Sequence, residues 1–193
     1  GSVVSTGTFA TKVDYGTGVH PYSVFVSDVD NDSDGDLAVA NQGSNTVSIL
    51  KNNGDGTFAL KVDYETGGQP YSVFISDLDG DGDGDLTVVN EVQSTVSILK
   101  NNGNGTFATK VDYYTGSRPY SVFISDIDGD GDGDIVTACE GSNTIYVLKN
   151  NGDGTFATNV DYATGISPRS TFVGDIDGDG DGDVVTTNND ANT

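Results

Sequence analysis

Pro70-Tyr-Ser-Val-Phe-Ile-Ser-Asp-Leu-Asp-Gly-Asp-Gly-Asp-Gly-Asp-Leu-Thr-Val-Val-Asn90 carries two strand signals on either side of one acidic loop. Tyr71 to Ser76 alternates with a period of two, and Asp85 to Asn90 is rich in β-branched residues. The stretch recurs along the chain. Asp28, Asp77, Asp126 and Asp175 each open the same acidic run, 49 positions apart. Phe9, Phe58, Phe107 and Phe156 keep that spacing, as do Pro21, Pro70, Pro119 and Pro168. The repeat therefore extends well beyond the acidic loop, and its length suits one blade of a radial array.

Working outward from the loop, each copy reads as four strands, a to d. After a (71–76) and b (85–90) come c, Thr95 to Lys100, and d, Thr106 to Tyr113, joined by the turn Asn101-Asn-Gly-Asn-Gly105. Asn and Gly there accept left-handed backbone angles that other residues resist. No stretch has helical periodicity. A lone four-stranded sheet cannot bury both faces, whereas sheets stacked around an axis can. The expected fold is all-β, a β-propeller of four 49-residue, four-stranded blades; a β-solenoid or an internally symmetric sandwich are the alternatives. The single domain, 1–193, divides into strand d of a closing blade (8–15), blades 21–67, 70–116 and 119–165, and a partial blade 168–193. An N-terminal strand d beside the last a and b strands would close a four-bladed ring in one chain. The other arrangement is half of an eight-bladed ring completed by a second copy, so a monomer or a homodimer is expected.

The 193 residues carry 30 acidic against 8 basic side chains, a formal net charge of -22. That charge repels nucleic acid and anionic membrane surfaces. No run approaches the roughly 18 apolar residues needed to span a bilayer, so membrane insertion is not expected. One cysteine, Cys139, permits no internal disulfide, and one histidine, His20, permits no zinc cluster. Gly1 and Ser2 read as a tag-cleavage remnant, which leaves the lack of a leader uninformative about compartment.

Each acidic loop reads D-x-D-x-D-[GS]-D-G-D: Asp28, Asp30, Asp32, Asp34 and Asp36; Asp77, Asp79, Asp81, Asp83 and Asp85; Asp126, Asp128, Asp130, Asp132 and Asp134; Asp175, Asp177, Asp179, Asp181 and Asp183. Carboxylates at loop positions 1, 3, 5 and 9, a carbonyl at 7 and glycine at 6 match a hard, oxygen-seeking, multi-coordinate ion. The expected cofactor is Ca²⁺, about one per repeat and up to four. An EF-hand would end with Glu at position 12 between helices, whereas strands flank this loop. Solvated acidic turns are the plain alternative. Against it, twenty of the 30 acidic residues crowd into these four runs and would repel one another without a cation.

The proline-led strand a, the acidic loop, the following Asp-Leu-x-Val (Asp36 to Val39, Asp85 to Val88) and Asn-Asn-Gly-Asp-Gly-Thr-Phe (Asn52 to Phe58, Asn150 to Phe156) resemble the FG-GAP/VCBS repeat family of integrin-α-like propellers. The resemblance covers nearly the whole chain. It implies one Ca²⁺ per blade on the lower face, in the a–b loop, and an extracellular or cell-surface setting. It also implies roles in adhesion, lectin-like carbohydrate binding or accessory modules of polysaccharide-degrading enzymes. The first copy departs from the pattern, with Asn31 and Ser33 where the others have Gly.

Three functional readings follow. The first is a non-catalytic extracellular binding or adhesion module for a glycan or a protein; the second is a passive structural module of a larger surface protein. The third, an enzyme, is not expected, because the carboxylates are committed to loops and no Ser/His or Cys/His pair exists. Antiparallel strands put the d–a and b–c loops on the face opposite the acidic loops, and copy-to-copy differences gather there. His20, Gln69, Tyr114, Arg118 and Glu140 are the candidate ligand-binding residues. Tyr15, Tyr64, Tyr113 and Tyr162 recur at core-compatible spacing and are expected to pack, and Cys139 to be inert.

Overall fold

A computed structural model of the chain describes residues 11–157, 160–191 and 193. Among these there is no helix, and hence none long and apolar enough to cross a membrane. The first sheet contains β1 (Pro21–Ser27), β2 (Asp36–Asn41), β3 (Thr46–Leu50) and β4 (Val62–Glu65), paired antiparallel in that order. The second contains β5 (Pro70–Ser76), β6 (Asp85–Asn90), β7 (Thr95–Leu99) and β8 (Val111–Tyr114). The third repeats the order with β9 (Pro119–Ser125), β10 (Asp134–Cys139), β11 (Thr144–Leu148) and β12 (Val160–Ala163), and β13 (Pro168–Gly174) pairs with β14 (Asp183–Asn188) in a two-stranded sheet.

Successive sheets converge on their first strands, β1 against β5, β5 against β9 and β9 against β13, which is the arrangement of propeller blades. Side chains on both faces of a middle sheet are therefore buried, and β6 and β10 are buried along their whole length. One core lies between the first two sheets, where Ala38, Ala40 and Ile49 meet Val73, Ile75 and Leu86. A second lies between the next two, and a third under β13. Two aromatic ladders run across the converging strands. Phe25, Phe74, Phe123 and Phe172 follow one another at centroid separations of 4.6, 5.4 and 4.7 Å. Tyr22, Tyr71 and Tyr120 do the same at 4.5 Å per step.

Strand d differs from expectation. It spans Val111–Tyr114 rather than Thr106 to Tyr113, and Phe107 forms only an isolated bridge to Asn101. The Asn101 carboxamide oxygen accepts the Gly103 and Gly105 amides, both glycines having left-handed φ, so the segment hooks before it extends. Phe107 then turns edge-on to Tyr64 of the preceding sheet, 5.3 Å between centroids. Tyr113 on Phe156 and Tyr15 on Phe58 repeat that contact, which explains the periodic tyrosines as packing residues. Tyr162 is exposed at the end of the array. Of the expected N-terminal strand, residues 8–10 lie outside the described residues; 11–17 form no strand, and among the described residues β14 pairs with β13 alone.

Cys139 is buried, and desolvation pushes its thiol up, consistent with an inert strand-end residue. In the first two sheets the same place is held by Asn41 and Asn90, which donate to Ser48 Oγ and Ser97 Oγ at 2.8 Å.

Candidate metal centre and the opposite face

The acidic loops join the first and second strands of each sheet, and the c–d turns abut them. Added side-chain carbons at Gly54, Gly103 and Gly152 would meet Asp34, Asp83 and Asp132 Oδ2 at 3.0, 2.9 and 2.7 Å. Each loop coils around its position-1 carboxylate. Asp77 Oδ1 and Oδ2 accept the Gly80 and Gly82 amides at 2.8 and 2.9 Å, and Asp126 and Asp175 accept the equivalent pairs. Position 5 caps the next turn, with Asp83 N–H donating to Asp81 Oδ1 at 2.9 Å.

Position 9 has a second role that the motif does not announce. Asp36, Asp85 and Asp134 are buried, and each accepts one amide from its own loop and one from the c–d turn. For Asp85 the donors are Leu78 N–H at 3.2 Å and Asn101 N–H at 2.8 Å. Asn101 Nδ2 then reaches back to Val29 O at 2.8 Å, and Asn150 Nδ2 to Leu78 O at 2.8 Å. The turn of one sheet is thereby tied to the acidic loop of the sheet before it.

Carboxylate oxygens of positions 1, 3 and 9 come within 4.8 Å of one another in three loops: Asp77, Asp79 and Asp85; Asp126, Asp128 and Asp134; Asp175, Asp177 and Asp183. In the first loop the set is Asp28, Asp30 and Asp32. The remaining predicted ligands, at position 7 of every loop, position 5 of the later loops and position 9 (Asp36) of the first, lie outside these clusters. Asp28 Oδ1, Asp30 Oδ1 and Asp79 Oδ1 are buried with no hydrogen-bond donor. Such oxygens cost free energy unless a cation meets them, so the residues fit a hard metal ion and each cluster could hold one.

The motif also gives no hint of a lysine beside position 3. Lys51, Lys100 and Lys149 pair with Asp30, Asp79 and Asp128 at 3.0, 2.9 and 2.8 Å. Lys51 and Lys100 also donate to the Asn104 and Asp153 carbonyls of the following turn. These contacts raise the Lys100 and Lys149 ammonium groups and lower Asp128. The signal was available, since these lysines follow the 49-residue period.

Desolvation pushes Asp36 and Asp134 above the usual carboxylate range and Asp85 up to about 6, against the opposing backbone hydrogen bonds. A carboxyl with a higher pKa folded than unfolded takes up its proton in the folded state first, so protonation stabilises the metal-free protein. In EDTA the melting temperature is expected to rise as pH falls from 7 to about 4.5. In Ca²⁺ it is expected to fall over the same window, because protons compete with the ion. Scanning calorimetry in both buffers checks this, and parallel trends would refute it.

The left-handed positions 4 and 6 are Gly in three loops, whereas Asn31 and Ser33 adopt φ of 63° and 73° in the first. Asn31 earns its place by donating to Asp83 Oδ1 at 2.6 Å across the sheets. Ser33 has no such gain, and a left-handed non-glycine residue costs roughly 1–2 kcal/mol. The first site is expected to bind roughly five- to thirty-fold more weakly than the others, with Ser33→Gly restoring it. Titration calorimetry showing four equivalent wild-type sites would contradict this.

On the opposite face, Gln42, Glu91, Glu140 and Asn189 N–H donate to the carbonyls of His20, Gln69, Arg118 and Ser167. Those four residues precede the prolines and all have left-handed φ, between 50° and 59°. Arg118 Nε donates to Glu91 at 2.8 Å, and Arg118 and Arg169 both pair with Glu140, at 3.2 and 2.7 Å. The two guanidinium groups flank the Tyr120 ring, at 5.8 and 5.0 Å. Burial, with Glu140 next, pushes the Tyr120 hydroxyl up to about 12. Gln69 approaches Gln42, which donates to Tyr71 Oη at 3.1 Å. The structure thus joins Arg118 and Glu140, and sets Gln69 beside Gln42, which itself reaches the tyrosine ladder. His20 makes no side-chain hydrogen bond among the described residues, and Tyr114 is exposed on β8, the sheet edge away from the ladders.

The FG-GAP-like repeat profile matches residues 28–88, 77–137 and 126–186, each match running from one acidic loop into the next strand pair. The chain belongs to the FG-GAP-like repeat family. No curated protein sequence matches it. Among solved structures, the FG-GAP-like chain is similar to a lectin from Agrocybe aegerita, described for its specific recognition of non-reducing terminal N-acetylglucosamine. The two share 27% identity with a TM-score of 0.60, over 84% of this chain and 45% of the lectin. It is also similar in fold to BBS1N, solved in complex with ARL6DN, at 17% identity and a TM-score of 0.59, over 90% of this chain and 53% of that one. The FG-GAP-like chain therefore spans about half the length of these structures.

Proposed function

We propose that this FG-GAP-like repeat protein is a non-catalytic, calcium-binding glycan-recognition module that works outside the cell. The observation that carries the reading is the likeness to a lectin, at 27% identity over 84% of the chain. The acidic clusters support Ca²⁺ as the ion, because short, largely exposed carboxylate loops suit the millimolar calcium of extracellular fluid. All eight basic side chains are ion-paired, which leaves little to attract a polyanion. Glu140 is engaged by two arginines, which leaves it committed to ion pairs.

Recognition belongs to the face bearing Arg118, Tyr120 and Gln69, where planar guanidinium and amide groups and aromatic rings suit sugar hydroxyls and ring faces. A glycan array in Ca²⁺ is expected to retain glycans with terminal N-acetylglucosamine, and EDTA to abolish retention. Arg118→Ala is expected to weaken that binding at least ten-fold with calcium-dependent melting unchanged. An array on which nothing binds would refute the glycan reading, and hydrolysis products from those glycans would refute the non-catalytic one.

A further inference from the structure

The two ends of the array expose the two halves of one interface that the interior uses three times. Val24 and Val26 on β1 are 59% and 60% exposed, while Val73 and Ile75, which hold the same places on β5, are 3% and 6% exposed because the preceding sheet covers them. At the other end, Ile176 is 65% exposed, whereas Leu78, at its place in the second repeat, is 2% exposed under the following sheet. Phe172 ends the phenylalanine ladder with one face open. On the other face of β14, a groove of about 440 Å³ runs between Ile145, Tyr162 and Val184. In the interior the matching tyrosines, Tyr64 and Tyr113, are covered by Phe107 and Phe156.

We propose that a second copy of this chain covers both ends, docking head to tail so that two arcs close into one ring of eight sheets. The β1 face of one copy packs on the β13–β14 face of the other, as β5 packs on the first sheet and β9 on the second. Phe25 of the partner subunit continues the ladder from Phe172. A second copy fits better than self-closure, because Val24, Val26, Phe172 and Ile176 of one molecule are all exposed. One copy covers only 45% of the similar lectin chain, which leaves room for a second. Each face presents to a partner what a blade presents to its neighbour, so the contact resembles a domain core cut in half. It is heterologous and closes only if the rotations of two copies complete a circle.

Size-exclusion chromatography with light scattering, in calcium and at micromolar protein, is expected to give twice the 20.0 kDa chain mass. Val24→Lys/Val26→Lys and Ile176→Lys/Val185→Lys, which alter opposite ends at side chains already exposed, are each expected to give the mass of one chain while keeping the circular dichroism spectrum. Mixing the two variants leaves one intact pair of faces and is expected to restore the two-copy mass, the signature of head-to-tail contact. A wild-type mass of one chain at every concentration would overturn the proposal in favour of a self-closed or open monomer. A mass above two copies would overturn closure in favour of a filament, and two variants that do not pair on mixing would overturn the head-to-tail geometry.

Discussion

Chelating divalent cations is expected to lower the melting temperature of this protein by roughly 20 °C or more. A ligand that binds only the folded state stabilises it by RT ln(1 + [L]/Kd), which is about 2.7 kcal/mol per site at a hundred-fold excess over Kd. Four clusters together reach on the order of 10 kcal/mol, comparable with the whole stability of an ordinary domain. The metal-free state also holds buried, donor-less oxygens at Asp28, Asp30 and Asp79 within a chain of net charge -22. Scanning calorimetry in EDTA and in millimolar Ca²⁺ checks the expectation, and coincident traces would remove calcium from the folding account.

Asp85→Ala is expected to cost about 2–6 kcal/mol in EDTA as well as in calcium, because it strands two buried amides, Leu78 N–H and Asn101 N–H, at about 1–3 kcal/mol each. Asp79→Asn in the same loop is expected to behave differently. Its Oδ1 meets no donor and its Oδ2 meets a half-exposed Lys100, a pair worth at most about 1 kcal/mol. In EDTA the Asn variant should therefore unfold within about 1 kcal/mol of wild type, while in calcium it loses one site, about 2.7 kcal/mol. Urea unfolding of both variants in both buffers separates the roles. Equal losses in EDTA would show that position 9 is a metal ligand and not also a brace.

Much of this protein was legible because its information is periodic. The 49-residue spacing of Asp77, Phe107 and Pro70 determined the repeat, the alternation in Tyr71 to Ser76 determined strands, and the aspartate spacing determined which loop could meet a cation. These are local statements, and local chemistry suffices for them. Strand d is shorter than its composition predicts because, although Thr106 to Tyr113 has strand composition, a side chain five residues upstream, Asn101, hooks it and a tyrosine from another sheet claims Phe107. The candidate ligand residues divided for a similar reason. Position in a loop does not say that Arg118 turns to Glu91, Glu140 and Tyr120 while Tyr114 stays at the outer edge.

By itself, the sequence determined the repeat unit, the all-β class, the family and the acidic loops, because each depends on residues within one period. Only the tertiary structure decided that position 9 braces its own loop to a turn sixteen residues away, and that Asn101 ties that turn to the loop of the preceding sheet. It also decided which valines are core and which are end face. Val24 and Val73 occupy the same place in near-identical repeats, and their burial differs only because one has a sheet in front of it and the other does not. Burial is set by neighbours, and a repeated sequence cannot say which of its copies has one.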